Sequence, residues 1–316
     1  MASIYWRSPT ALTTDMNTED YRIPTIDATA SRRWLHLPRH EAPWLHEEVG
    51  SRMVERLQWL RQPPRSWLHW EPLLGGLQTH QRLRTALIDA PWKLWGVDRA
   101  GIERRLAPAP VPWWQPWRAA PASVWAESNE PVDMVWSNML LHHIGDPMPL
   151  FHRWHGHLQD QGLLMFSCLG PQTLTELHQV HERMGWPAPT HQFTDMHDWG
   201  DLLVRGGFAE PVVDMERLQL TFSSAHTLLA ELRSLGRNLL RGRYPACRGR
   251  RWLDGWLDAV ERYGVRNAEG RLQLTFEVVY GHAHKVAARP SRKDPSRIGL
   301  DEMRSMLKSG RDTGNG

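Results

Sequence analysis

Three groups of residues in this sequence have types and spacings that could do chemistry. The first is WLHWEPLLGGL, Trp67 to Leu77. Its apolar start runs into two adjacent glycines, Gly75 and Gly76, as a strand does when it opens a nucleotide-binding loop. Downstream, LWGVD ends an apolar run in Asp98, whose carboxylate offers two acceptor oxygens. The second group follows VDMVW: Ser137-Asn138 form a turn-type pair, and His142-His143 come shortly after. The third is basic. From Arg233 to Arg251 the chain carries seven arginines and no acid, which suits either a solvated face or a docking patch for an acidic partner. His152, His155 and His157 do not share one helix face and have no cysteine or acid to complete a shell, so no metal site is expected.

Strands alternating with helices would position these groups. Leu45, Val49, Met53 and Leu57 recur at i, i+4 and predict an amphipathic helix, stopped by RQPPRS. SWLHW reads as a strand, QTHQRLRTALIDAP as a helix ended by Pro91, and WKLWGVD as a second strand. VDMVWSNM and GLLMFSCLG are buried strands flanking the helix PMPLFHRWHGHL. PQTLTELHQVHERMG predicts a helix with proline in its first turn, and DMHDWGDLLVRGGF another with a glycine stop. EPVVDMERLQLTF and RLQLTFEVVYGHAHK alternate as strands, separated by the arginine-rich helical insertion. This succession predicts a parallel sheet with crossover helices, whose ligands bind beyond the carboxyl ends of the strands. That rule selects residues 69–76, Asp98 and residues 137–143.

Composition narrows the classes. At 316 residues, 41% hydrophobic and 23% charged, the chain reads as globular, and a net charge of +3 does not call for nucleic acid. No apolar run is long enough to span a bilayer. The N-terminal sequence lacks the pattern of a secretory leader, and two cysteines, Cys168 and Cys247, do not make a disulfide framework. A cytoplasmic protein is expected. The first thirty residues are polar and aperiodic and predict a loose arm. The tryptophan-rich stretch Val111 to Trp125, interrupted by prolines, predicts an irregular connection.

VDMVWSNMLLHHIGD, GLLMFSCLGPQTLTELHQV, FTDMHDWGDLLVRGGFAEPVVDMERLQLTF and TFEVVYGHAHK together resemble the malonyl-acyl-carrier-protein O-methyltransferases of biotin synthesis and their broader relatives. TIDATASRRWLHLPRHEAPWLHEEVGSRMVERLQWL resembles that family's cap segment, so the similarity runs over residues 25–286. The resemblance implies an α/β, Rossmann-like class I methyltransferase fold: a seven-stranded, mostly parallel sheet with an antiparallel last strand and a helical cap insertion. It implies an arm and cap helix at 1–60, a methyltransferase domain at 61–286 with an arginine-rich lid at 223–268, and a tail at 287–316. It also implies S-adenosylmethionine as cofactor, held by Gly75, Gly76, Asp98, Ser137 and Asn138, with Asp98 on the ribose. His142, Arg233 and Arg237 are the candidates for substrate contact, and no side chain is assigned as catalytic. Malonyl-acyl carrier protein or another acidic protein is the expected partner.

The sequence departs from the family pattern at the loop. The family's acid falls at His69, and two of its three glycines fall at Glu71 and Leu73, with Gly75 in register. Side chains there would compete with the cofactor, and Leu73 would resist a positive φ. The third-strand acid has no clear counterpart in RAAPASVWAESNE, and the tyrosine that closes the cap falls near Arg39 or His40. Three readings follow: a methyltransferase with a remodelled loop, a fold-retaining binding or assembly partner without turnover, or a family member doing different chemistry with a different ligand.

Overall fold

The computed structural model describes residues 25–106, 125–126 and 130–286. Its strands are β1 (Trp67–Trp70), β2 (Trp92–Trp95), β3 (Val132–Ser137), β4 (Leu158–Leu169), β5 (Phe208–Phe222) and β6 (Leu272–Lys285). They form one sheet in the order β2-β1-β3-β4-β6-β5. β1 pairs in parallel with β2 and β3, and β3 with β4. β6 runs antiparallel to both its neighbours, so the last strand is the reversed one. Six strands are described where seven were expected. In place of a seventh, outside β2, stands a single parallel bridge between Leu94 and Trp125. Residues 107–124, which include most of the tryptophan-rich stretch, and the tail lie outside the described residues.

The short parallel strands read as unbroken apolar runs because both faces are covered. In β1 the pleat sends Trp67 and His69 to one face, and Leu68 and Trp70 to the other, all of them buried. On the first face Trp67 packs with Leu45, Val49 and Met53 of α2 (Trp44–Glu55) and Leu83 of α4 (Leu77–Ala86). α7 (Thr175–Arg183), α9 (Ala225–Leu235) and α10 (Arg250–Tyr263) extend the same layer. On the second face Leu68, Val135 and Phe166 pack against Phe151 and Trp154 of α6 (Met148–His157) and Trp199 of α8 (Met196–Arg205). Each such aliphatic or Phe side chain contributes about 2 kcal/mol by leaving water. The remaining helices are α1 (Ala28–Leu35), the single turn α3 (Pro72–Gly75) and α5 (Arg99–Leu106).

Two expectations are corrected. The arm was to be loose through residue 30, yet Ile26 is buried and bridged to Leu240, and Asp27 N–H donates to the Leu239 carbonyl at 2.8 Å. Asp27 also caps α1 and pairs with Arg243 at 2.8 Å, tying the arm to the segment between Leu235 and Arg250. The helix predicted from Pro171 begins at Thr175. β6 captures the residues before it, through Gly170 N–H to Glu277 O (2.8 Å) and Leu174 N–H to Thr275 O (2.7 Å). Those bonds hold the chain out of a helix until Leu174, which takes a left-handed φ of 61°.

Gly281 of β6 lies directly across from Phe166, and a Cβ there would come within 3.0 Å of the Phe166 ring. Gly281→Ala is therefore expected to lower stability by about 1–3 kcal/mol, read from the urea midpoint. An unchanged midpoint would mean that Phe166 has room to yield.

Candidate functional site

The connection from β1 to α4 carries the unusual residues. Glu71, not Leu73, takes the left-handed conformation, with φ 57° and ψ 59°. Leu73 lies in the α3 turn and packs with Leu94 and Ile102, all three buried. The left-handed state costs a side-chain-bearing residue about 1 kcal/mol. It is held by hydrogen bonds at both ends: Glu71 N–H donates to Trp95 O at 2.7 Å, and Val97 N–H donates to Glu71 Oε1 at 2.9 Å. Burial pushes the Glu71 carboxyl up to about 7, against the pull of the Val97 N–H and of Arg39 and Arg153. Both guanidiniums are held by tryptophans: Arg39 lies 4.7 Å above the Trp34 ring, and Arg153 lies 4.4 Å above Trp95. Burial lowers both arginines, while Glu71 opposes that shift.

A second, half-buried carboxylate sits at the N-terminus of α4. Glu47, from α2, accepts from Gln78 N–H at 3.0 Å, Thr79 N–H at 2.8 Å and the Thr79 hydroxyl at 2.9 Å. Those amides have no partner inside the helix, and an anion is favoured there by the helix dipole. Between the two carboxylates lie Gly75 and Gly76. Gly76 has a φ of 116°, and a Cβ on Gly75 would meet His69 Nε2 at 3.2 Å and Asn138 Cβ at 3.3 Å. At the family's acidic position, His69 is instead buried, kept uncharged mainly by burial, and shares a 3.2 Å hydrogen bond with His80.

The other residues expected at the cofactor are close by but engaged. Asp98 follows β2 and accepts from Gly101 N–H at 2.9 Å, capping α5. Asn138 Nδ2 donates to the His46 carbonyl at 2.7 Å and to the Gly75 carbonyl, while its Oδ1 accepts from the Ser167 hydroxyl at 2.6 Å. The Ser137 hydroxyl is buried without a partner. S-adenosylmethionine at this edge would need a side-chain-free turn after β1, where Glu71 and Leu73 stand. In this arrangement the residues do not fit the cofactor.

The acceptor candidates face a separate space. A cavity of about 390 Å³ lies among α7, α9 and α10, and His142, Arg233 and Arg237 all line it; Gly75, Gly76, Asp98, Ser137 and Asn138 do not. His46 and Met139, neighbours of Glu47 and Asn138, form the wall toward the β1 edge. Three of the seven arginines between 233 and 251 have structural partners: Arg243 pairs with Asp27, Arg248 stacks on Trp252, and Arg237 lies over Trp34 and donates to the Arg233 and Gly236 carbonyls. The guanidinium of Arg233, like those of Arg241, Arg250 and Arg251, has no hydrogen-bond, ionic or ring partner among the described residues, and of these four it alone lines the cavity. His46, His142 and His143 are kept uncharged by burial, His46 at about 4 and the other two well below the usual histidine range. Glu47, Arg39 and Arg153 were missed in the sequence. Glu47 could have been noticed only as a carboxylate early in a cap helix, since nothing local says where it points.

No protein-family model matches the chain. It is 36% identical over 263 residues to a malonyl-[acyl-carrier protein] O-methyltransferase of Gallionella capsiferriformans, covering 78% of this chain and 86% of that one. A protein of the same name from Halorhodospira halophila is 31% identical over 85% of this chain and 89% of its own. Among solved structures, the YcgJ protein of Bacillus subtilis superposes with a TM-score of 0.50 at 8% identity, covering 77% of this chain and all of that one. The sheet order with its reversed last strand defines the class I methyltransferase fold, Rossmann-like and mostly parallel. Within that class, the chain belongs to the malonyl-[acyl-carrier protein] O-methyltransferase family.

Two measurements follow from the filled loop. The Glu71 carboxyl is raised on folding, so between its ordinary 4.5 and about 7 the folded state holds a proton that the unfolded chain has released. The resulting stability is full below that window and is lost as pH rises through it. Relative to the parent, Glu71→Gln should gain about 2–3 kcal/mol between pH 5 and pH 8 in denaturant melts. A constant difference would mean that Glu71 is ionised throughout. The double variant Glu71→Gly, Leu73→Gly should bind S-adenosylhomocysteine at least about tenfold more tightly than the parent in calorimetry. Equal affinities would exonerate the two side chains.

Proposed function

We propose that this chain acts as an S-adenosylmethionine-dependent O-methyltransferase on the free carboxylate of a malonyl group carried by an acyl carrier protein, the step its resemblance places in biotin synthesis. The observation that carries this reading is the unpartnered guanidinium of Arg233 lining that cavity, in a chain that matches such enzymes along most of their length. A carboxylate is ionised at neutral pH, so its methylation needs no general base. What the protein must supply is charge neutralisation, orientation and exclusion of water. Arg233 suits the first, since a guanidinium can grip a carboxylate through two N–H bonds. The lid with the buried walls of the cavity suits the others. The cap at 1–60, the core at 61–286 and the lid at 223–268 then serve one acceptor site. The remaining exposed arginines between 233 and 251 suit the acidic surface of a carrier protein. No helix among the described residues is long and apolar enough to cross a membrane, in keeping with a cytoplasmic enzyme.

The filled loop favours a second reading, in which the acceptor site is retained and the donor site is not. One assay separates them: transfer of labelled methyl groups from S-adenosylmethionine to malonyl-acyl carrier protein, alongside capture of that carrier. Arg233→Ala should lower kcat/KM by roughly 10- to 100-fold, the loss of one charge-assisted contact. Carrier capture by the parent without any methyl ester would establish the second reading. Loss of neither capture nor turnover in Arg233→Ala would remove Arg233 from the site.

A further inference from the structure

The floor of the cavity is built from imidazoles with unused hydrogen-bonding capacity. His142 is buried, and its Nδ1 accepts from the backbone N–H of Leu169 at 3.3 Å. A backbone N–H can only donate, so the proton of the neutral ring sits on Nε2. That N–H has no partner among the described residues, and the ring lines the cavity. The residue is held from several sides. His191 Nε2–H donates to the His142 carbonyl at 2.7 Å, the Ser31 hydroxyl donates to the carbonyl of His143, and the rings of His142 and His143 lie 4.0 Å apart. Both ring nitrogens of His143 and the Nδ1 of His191 are buried without a partner, and both residues line the same cavity. Buried polar atoms left unpaired destabilise a fold unless something else pairs them. The neighbouring lining residues Leu169, Leu174 and Phe276 offer no side-chain acceptor.

We infer that His142 Nε2–H is a hydrogen-bond donor to the carboxylate of an acyl-thioester ligand, fixing one oxygen while Arg233 neutralises the charge. This rests on the acceptor reading above and holds whether or not the donor site is competent. A neutral donor suits a methyl acceptor. It orients the carboxylate without delivering a proton, so the second oxygen keeps its lone pairs and its charge. A carboxylate in an apolar cavity needs both kinds of partner, because an ion without hydrogen bonds and a countercharge is strongly disfavoured there.

The test uses the full chain with two probes, malonyl-pantetheine and acetyl-pantetheine, which differ only by the carboxylate. Binding is measured by calorimetry for the parent, His142→Phe, His142→Gln and Arg233→Ala. The parent should prefer malonyl-pantetheine by at least about tenfold. His142→Phe, which keeps a ring and removes the donor, should lose about tenfold toward malonyl-pantetheine and less than about twofold toward acetyl-pantetheine. His142→Gln, which restores an N–H, should recover part of the loss. Equal weakening of both probes by His142→Phe would show that the residue only shapes the cavity, and this overturns the inference while leaving the acceptor reading intact. A parent that binds both probes alike, or neither, overturns the inference and the acceptor reading together.

Discussion

The buried carboxylate of Glu71 is the constraint around which this edge of the molecule is arranged. It bonds to the first amide beyond Gly96, and that bond requires β1 to leave the sheet through a left-handed residue. From there the chain winds into α3, which points Leu73 at Leu94 and Ile102. A carboxylate in such a place needs countercharge, and it comes from Arg39 and Arg153 at a distance rather than by contact. Each of those arginines is itself half-buried on indole rings, Trp34 for one and Trp70 with Trp95 for the other. Several of the tryptophans that crowd this sequence thus form one electrostatic assembly: indole faces hold the cations, and the cations steady an acid in an apolar setting.

Asn138 joins this edge to the cavity lined by His142 and Arg233. Its amide is fixed by Ser167 on β4, and its two N–H groups clamp the carbonyls of His46 on α2 and Gly75 in the loop. His46 lines the cavity, and the next residue, Glu47, caps α4. Asn138 therefore ties the loop at Gly75 directly to α2 and to the residue that lines the cavity wall. Asn138, one of the residues that the resemblance assigns to the cofactor, here ties β4, α2 and the loop together.

The strands of the sheet and the helix α2 were legible because they rest on local patterns: period-two alternation in Leu272–Tyr280, apolar runs at 132–137 and 162–169, and the i, i+4 face of α2. The reversal of the last strand came only with the family resemblance. The loop was legible as an anomaly, since Glu71 and Leu73 stand where side chains crowd a ligand. The residue that adopts the left-handed state was not, because that choice is made by the Val97 amide and the Trp95 carbonyl, partners from a strand twenty-odd positions away. The same holds for Glu47 and for the late start of α7, each fixed by bonds to distant backbone. Arg233 and Arg237 are identical in type and nearly adjacent. Only the fold separates the one lying over Trp34 from the one left unpartnered.

Glu71 and Leu73 weaken a donor ligand without forbidding it, and the size of the effect shows why both functional readings stand close together. Emptying the cleft gives up the burial of Leu73, about 2 kcal/mol, and about 1 kcal/mol for the hydrogen bond from Val97. It recovers about 1 kcal/mol of left-handed strain at Glu71. Near neutrality Glu71 is half-protonated in the folded state, and release into water returns part of its burial penalty as well. The net barrier is therefore about 1–2 kcal/mol, which reduces an otherwise ordinary affinity by roughly 5- to 30-fold. A closed loop of that depth is compatible with turnover at high cofactor concentration and with silence at low concentration. The barrier lies in opening the loop at Glu71 and Leu73, and the cavity lined by His142 and Arg233 is separate from it.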